Sequence, residues 1–430
     1  MTMKSLLLGA AAGIAAIGAA QAADLPMTKG EAVEYVKVCS TFGPGFFYIP
    51  GSDTCLKIGG EIRADYRVFG GDGFDRNDDR SAFNTQARIW FDARTQTDWG
   101  LLRSYFQINA DSHPISGQGR GGIYNDNTFT IDKAYIQFGG LTAGYAHSFF
   151  GFYDNEYGDT LWGAYYNEVN TVNLLAYTAE FGGGFTATLA LEDGRDHRVS
   201  DDTFALGGGA LAYGGQQVPD VVAQLRYDAD WGSLAAQAAG HQFRSGEAFG
   251  PGGLPLPPAD PNYIPRENKY GWAAGATALF KFPQFINGGY VIFEGQYADG
   301  ALDYLGAGNT WLAQSDYFFA DSGRVDAGKG WSITGEFGAD ITPELKAVLV
   351  GSYIDVKYDG VGTTANQDVS LKEFTVTGNL TYTIVKGLSA AAEVAYTHGT
   401  LDNAVVDIGD SLNRDDYNVW QGGIRLKRTF

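Results

Sequence analysis

The sequence predicts an all-β fold, a transmembrane antiparallel β-barrel of about sixteen strands, and three observations carry the prediction. Apolar and polar residues alternate with period two over long segments, the pattern of a strand with one face in hydrocarbon and the other in water. Tight turns alternate with long polar connections, so one end of the barrel is trimmed and the other is looped. The composition, 60 Gly, 25 Tyr and 27 Phe against 13 Pro in 430 residues, suits pleated, aromatic-rich strands joined by turns. Aromatic content excludes disorder. A formal charge of −20, from 30 Lys+Arg against 50 Asp+Glu, excludes a phosphate-neutralising nucleic-acid surface.

The N-terminal residues 1–22, MTMKSLLLGAAAGIAAIGAAQA, set Lys4 before an apolar run from Leu6 to Ala20 and finish in Ala20-Gln21-Ala22. A positive start, an apolar middle and a small-residue cleavage site are the marks of a secretory signal. Export makes a disulfide available to the two cysteines, Cys39 in a following segment 23–54 expected on the periplasmic side or in the lumen, and Cys55 immediately after it. Two free thiols are the other reading of the pair.

Residues 55–430 are expected to form the barrel, with strands near 55–70, 81–97, 101–110, 128–139, 141–147, 172–181, 184–192, 219–230, 233–243, 269–281, 288–297, 330–340, 345–358, 370–384, 388–399 and 416–430. In the first, Leu56, Ile58, Ile62, Ala64, Tyr66 and Val68 oppose Lys57, Glu61, Arg63, Asp65 and Arg67. In the second, Phe83, Ala87, Ile89, Phe91 and Ala93 oppose Asn84, Gln86, Arg88, Asp92, Arg94 and Gln96. The strand near 330–340 sets Trp331, Ile333, Phe337 and Ala339 against Ser332, Thr334 and Glu336, and the last sets Trp420, Ile424, Leu426 and Phe430 against Gln421, Arg425 and Lys427. A soluble β-sandwich also alternates, but its strands are shorter and its polar faces less densely charged. Trp231, Tyr270, Trp272, Trp331, Tyr382 and Phe430 lie near strand ends, where an interfacial aromatic girdle belongs. The long connections, among them Asp111–Asn125, Arg195–Pro219 and Asp299–Gly328, read as polar loops at one end.

The block VEYVKVCSTFGPGFFYIPGSDTCLKIGGEIRADY at Val33–Tyr66 resembles the alphaproteobacterial outer-membrane porins typified by those of Brucella and Rhizobium. So do ADLP at Ala23–Pro26, LTAGYAHSFFGFY at Leu141–Tyr153, NLLAYTAEFGGGFTATLALED at Asn173–Asp193, and the ending WQGGIRLKRTF. The resemblance implies a homotrimer of sixteen-stranded barrels in the outer membrane, among its lipid and lipopolysaccharide, each a passive pore for small hydrophilic solutes and ions. It also implies that the third loop folds inward.

A barrel of this size is too wide to discriminate unaided. By position the third loop is Phe149–Asn170, rich in Gly and aromatics and carrying Asp154, Glu156, Asp159 and Glu168. These acids are expected at the pore constriction, facing basic residues of the inner wall, Arg63, Arg67, Arg88, Arg94, Arg103 and Lys133. Opposed charges would set a transverse field across the opening. An ordinary solvated loop is the competing reading. Catalysis finds no motif: His113, His147, His197, His241 and His398 are scattered, and neither HExxH nor G-x-S-x-G occurs. No cofactor or metal is implied. A substrate-specific channel is the nearest alternative to a general pore, with a barrel enzyme or adhesin behind it.

Overall fold

The computed structural model describes residues 37–72, 74, 78–112, 127–153, 157–167, 170–199, 213–247, 254, 256–260, 263, 265–310, 314–319, 324–360, 368–402 and 416–430. The signal sequence expected over 1–22 lies outside the described residues. Sixteen strands make the barrel: β1 Cys55–Gly71, β2 Ser81–Thr97, β3 Gly100–Ser112, β4 Thr128–Phe138, β5 Leu141–His147, β6 Thr171–Gly182, β7 Phe185–Glu192 and β8 Asp220–Ala229, then β9 Gly232–Arg244, β10 Asn268–Lys281, β11 Tyr290–Asp299, β12 Lys329–Thr342, β13 Leu345–Tyr358, β14 Val369–Val385, β15 Leu388–Asp402 and β16 Asp416–Thr429. Each pairs antiparallel with its sequence neighbours, and β16 closes on β1 in a register that sets Arg425 opposite Asp65 and Leu426 opposite Ala64. Closure leaves no open edge, so every strand's backbone groups are satisfied without water.

The faces divide as the alternation requires. Ile58, Ile62, Phe83, Ile333, Val376, Leu380, Val394 and Ile424 are exposed on the outside, where a membrane solvates them, while Asp65, Asp92, Glu336, Thr377 and Gln421 are buried inside. Aromatic rings on the outer face gather in two belts. Phe185, Tyr227, Trp231 and Phe280 contact one another near the short turns. Toward the long loops, Trp272 meets Tyr297, Trp331 meets Tyr353 and Phe374 meets Tyr396. An amphipathic ring sits comfortably at the boundary between hydrocarbon and headgroups.

Two expectations need correction. The strand placed at 288–297 runs instead over Tyr290–Asp299, because the preceding turn is longer than the sequence pattern indicates. Phe282 N–H donates to Gly289 O and Gly289 N–H to Ile286 O, and Gly288 takes φ +59°, a conformation that side chains with a Cβ adopt only under strain. The connection 299–328 is not a polar surface loop. Residues 300–328, the sixth long connection (L6), carry 3-10 turns at Leu302–Leu305 and Ala307–Asn309 and a small hairpin pairing Tyr317–Phe319 with Val325–Ala327. Leu302, Tyr304, Leu305, Tyr317 and Phe318 are fully buried. L6 folds into the barrel mouth, and there the inward strand positions Ile354, Val356, Tyr358, Val369 and Leu371 turn apolar to receive it.

Cys39 and Cys55 form a disulfide, packed with Phe46 at the start of β1. It ties residues 37–54 beneath the turn end of β1 and β2, with the Arg94 guanidinium 5.0 Å from the Phe46 ring. A loop of this size is worth about 3 kcal/mol on the chain-entropy estimate. Replacing both cysteines by serine is expected to free this segment for proteolysis while leaving the barrel's heat resistance on gels intact; comparison of peptide maps with and without reductant checks it.

Candidate functional site

The third long connection, residues 148–170 (L3), folds into the lumen and is held there chiefly by the wall. Glu393 on β15, 3 % exposed, accepts backbone N–H bonds from Leu161 at 2.5 Å, Trp162 at 2.7 Å and Gly163 at 2.7 Å. Glu336 on β12 takes the Tyr153 hydroxyl at 2.6 Å and the Asp159 N–H at 3.3 Å. Glu373 on β14 receives the Tyr166 hydroxyl, and Ser352 on β13 the Tyr166 N–H at 2.8 Å. In return, Asn379 and Gln421 donate to the carbonyls of Asp159 and Trp162 at 2.7 and 3.1 Å. The bonds to the Glu carboxylates are charge-assisted, a kind roughly twice as strong as neutral ones. Gly163 passes so close to β14 that a Cβ there would collide with the Thr377 side chain.

L3 also docks on the seam of the barrel. Arg425 donates to both oxygens of Asp65 at 2.7 Å. Trp162 lies over this pair, its indole N–H 3.2 Å from Asp65 and its ring 5.0 Å from the guanidinium of Arg425 and 5.6 Å from that of Arg67. The loop therefore lines the walls of β11 to β16 and reaches β1, and β2 to β4 face it across the lumen.

The site residues expected from sequence are distributed as follows. Asp159 sits at the loop's turn against the wall, where Lys346 pairs with it and the Tyr290 hydroxyl lies 2.8 Å away. Asp154, Glu156 and Glu168 lie outside the described residues. Arg67 is 5 % exposed and donates to Gln421 at 2.6 Å, which makes it a support for L3. Arg94 and Arg103 share one carboxylate, Asp92, at 2.7–3.0 Å. Arg103 also packs against the stacked rings of Tyr105 and Tyr135. Arg88 bonds Asn109 at 2.8 Å and lies 3.8 Å from both Glu61 and Asp132. Arg63 is half-buried within electrostatic reach of Arg88 and Arg425. Lys133 projects from β4 into a cavity at the root of L3.

The wall carboxylates Glu336, Glu373 and Glu393, which do most of the holding, were not singled out from the sequence. Their signal was there: an acid at an inward strand position, among Ser, Thr and Asn on β12 and β14 and between Ala391 and Ala395 on β15, needs donors, and a loop's N–H groups are the nearest supply. A second unforeseen group lies where β7 to β9 meet the loops. His197 is buried between Glu192 at 2.8 Å and Asp303 at 2.9 Å, with its ring stacked 4.3 Å from Tyr304. His241 bonds Asp220 at 2.8 Å, and Asp220 also accepts the Tyr304 hydroxyl at 2.9 Å. Asp316 accepts the Val199 and Leu302 N–H groups at 3.0 and 2.7 Å. Burial alone would lower the His197 pKa, but the hydrogen bonds its ring N–H groups donate to Asp303 and Glu192 outweigh it and raise it to about 10. These contacts clamp 193–199 to L6, and Glu192 reaches L3 itself through the Phe149 N–H at 3.0 Å.

A lumen enclosed by sixteen strands and narrowed from inside is the architecture of a diffusion channel, and comparison with known proteins agrees. A family model described as a porin subfamily matches residues 24–422. The chain belongs to this porin family. Among curated relatives, porin Omp2b of Brucella neotomae is 30% identical over 447 residues, covering 100% of both chains. Porin Omp2a of Brucella canis is 29% identical over 451 residues, again with 100% of both covered. Among solved structures, the outer membrane channel DcaP of Acinetobacter baumannii matches 89% of this chain and 99% of its own, with TM-score 0.61 and 16% identity. The trimer form of OmpT of Vibrio cholerae covers 88% of this chain and 100% of its own, at TM-score 0.50 and 9% identity. At such identities the structural likeness speaks for the fold alone. The porin is thus an outer-membrane channel protein, and its outward apolar surface is the one a bilayer covers.

Proposed function

We propose that this porin is a general-diffusion channel, passing small hydrophilic solutes and ions without chemistry, and that L3, the facing wall of β2 to β4 and the adjoining β1 form its constriction. The observation that carries the reading is the fixing of L3 across the lumen by Glu336, Glu373 and Glu393. In this reading Arg63, Arg88, Arg94, Arg103 and Lys133 form the basic side of the opening, and Asp154, Glu156, Asp159 and Glu168 the acidic side. Selectivity is weak, because Asp92 offsets Arg94 and Arg103, and Glu61 and Asp132 stand beside Arg88. The export signal is cleaved after Ala22, residues 23–54 stay at the periplasmic end, and three copies assemble among phospholipid and lipopolysaccharide. The structural neighbour whose structure is described as a trimer form supports the assembly.

Single-channel recording of the purified protein in a planar bilayer tests it. Stable steps in groups of three are expected, with a small reversal potential under a salt gradient. Changing Arg63 and Arg88 together to glutamine is expected to shift the permeability ratio toward cations, since both lose their charge on the side facing L3. Silence from folded protein overturns the reading, and a current that saturates with one solute only favours a substrate-specific channel.

A further inference from the structure

L3 is gripped by a second loop as well as by the wall. The 3-10 turns of L6, Leu302–Leu305 and Ala307–Asn309, lie against both ends of it. Near the start of L3, the Phe150 ring packs on Tyr304 with centroids 4.7 Å apart. Near its end, Asn309 Nδ2 donates to the Tyr165 carbonyl at 3.3 Å, the Asn167 N–H donates to the Leu305 carbonyl at 3.0 Å, and Asn170 Nδ2 lies 3.1 Å from both oxygens of Asp303. Between these bonds the two backbones meet. Gly306 takes φ +72°, and a Cβ there would stand 2.5 Å from the Asn167 nitrogen and 3.0 Å from Tyr166 Cα. Asn167, fully buried, is the one residue other than glycine with positive φ among the described residues, at +86°. Asparagine enters that left-handed region more readily than most side chains, but it stays there only where its surroundings enforce it. Leu305 does so on one side, and on the other the Thr334 hydroxyl lies 2.8 Å from Asn167 Oδ1.

We propose that L6 is a second positioning element of the constriction, and that the Gly306–Asn167 contact sets how far the 165–167 limb of L3 reaches into the lumen. The proposal rests on the channel reading above. L6 can bear this load because it is itself fixed. Tyr358 on β13 accepts the Ser315 N–H at 3.0 Å and donates to the Ser315 carbonyl at 3.1 Å, and Asp316 accepts the Leu302 N–H at 2.7 Å. Glu393 holds 161–163 against the wall alone, whereas the limb that follows is pinned between wall and L6. Ser352 and Glu373 back Tyr166 from the wall side, so a limb pressed by L6 gives way toward the open lumen. Pore size is then not a property of L3 and the wall only. A change confined to the mouth loop is carried to the constriction through one backbone contact, because close-packed backbones have no slack to absorb it.

The test compares two alanine substitutions two residues apart in the full-length porin, by single-channel recording in potassium chloride. Gly306→Ala puts a methyl group against the backbone of L3 and strains a positive φ. Gly308→Ala adds the same methyl where its nearest neighbour is the Asp303 carboxylate at 3.8 Å, an ordinary contact. A lower conductance and a shifted potassium-to-chloride permeability ratio are expected in Gly306→Ala, with wild-type values in Gly308→Ala. A general loss of fold would not move the ratio of an open channel, and heat resistance on gels reports the barrel separately. Where Gly306→Ala yields no folded barrel, Asn170→Ala decides: release from Asp303 is expected to make the open current noisier and to speed hydrogen exchange at Tyr165–Asn167. Folded Gly306→Ala with wild-type conductance and ratio overturns the proposal, and so does an equal change in Gly308→Ala. In the fallback case, wild-type noise and exchange in Asn170→Ala overturn it. Absence of conductance in the wild type overturns the channel reading instead.

Discussion

Replacing Glu393 by alanine is expected to free L3 from the wall, raising single-channel conductance and making the open current noisy. Three backbone N–H groups lose their acceptor together, and each buried donor left unpaired costs about 1–3 kcal/mol. Few loops could absorb such a cost without moving. Glutamine at the same position keeps one amide oxygen in place of two charged ones, so Glu393→Gln should lie between the wild type and alanine. The barrel itself is not expected to weaken by much, because strands β14 to β16 remain paired throughout. Conductance histograms, read beside limited proteolysis within 157–167, separate the two effects. An alanine variant with wild-type conductance and an uncut loop would show that Tyr166 and Trp162 hold L3 unaided.

The second large effect is expected at His197. Changing it to alanine leaves Glu192 and Asp303 facing a void without their cation, and breaking a buried ion pair in this way typically costs about 3–5 kcal/mol. The loss falls on the clamp between 193–199 and L6 and not on the strands. Hydrogen exchange should therefore accelerate at Asp193–Val199 and at Leu302–Leu305, with β1 to β4 unchanged. The pH dependence has a definite sign. A histidine whose folded pKa is raised from 6.5 to about 10 stabilises the folded loops fully below 6.5, and that contribution declines as pH rises through about 10. Loop exchange in the wild type is thus expected to rise in alkali and to converge on that of the alanine variant. Equal exchange in the two proteins at neutral pH would show that His197 carries no such contribution.

The fold was legible because membrane and water each impose a side on every strand. Ile62, Phe83, Ile333 and Ile424 announce the lipid face and Asp65, Asp92, Glu336 and Gln421 the lumen, and the period of two fixes the strands between them. Turn chemistry supplied the boundaries at Gly100 and Gly182–Gly184, and failed at Phe282–Gly289, where a folded eight-residue turn reads like the start of a strand. L6 was misjudged for a different reason. Leu302, Leu305 and Phe318 are apolar enough to be core, but no alternation marks them, and a loop that packs into a barrel has no period to display. The inward course of L3 followed from its place in the chain and the family resemblance. Its anchors did not, because they require knowing which strands face it: Leu161 and Glu393 are 232 residues apart. The basic residues were found by parity alone, and parity places Arg67 and Arg88 alike, although one ends beneath Trp162 and the other beside Asn109.

The docking of Trp162 on the Arg425–Asp65 pair also sets an order of assembly. L3 is synthesised before most of the strands that receive it, and its seat exists only once the last strand has met the first. Until then the carboxylates of β12, β14 and β15 and the donors of L3 have no common geometry, and loop-closure entropy opposes their meeting. The nascent chain therefore completes its wall before it narrows its passage. Circularly permuting the chain so that the β16–β1 junction becomes an internal hairpin would advance that step, and the time at which the loop becomes protected during refolding would move with it.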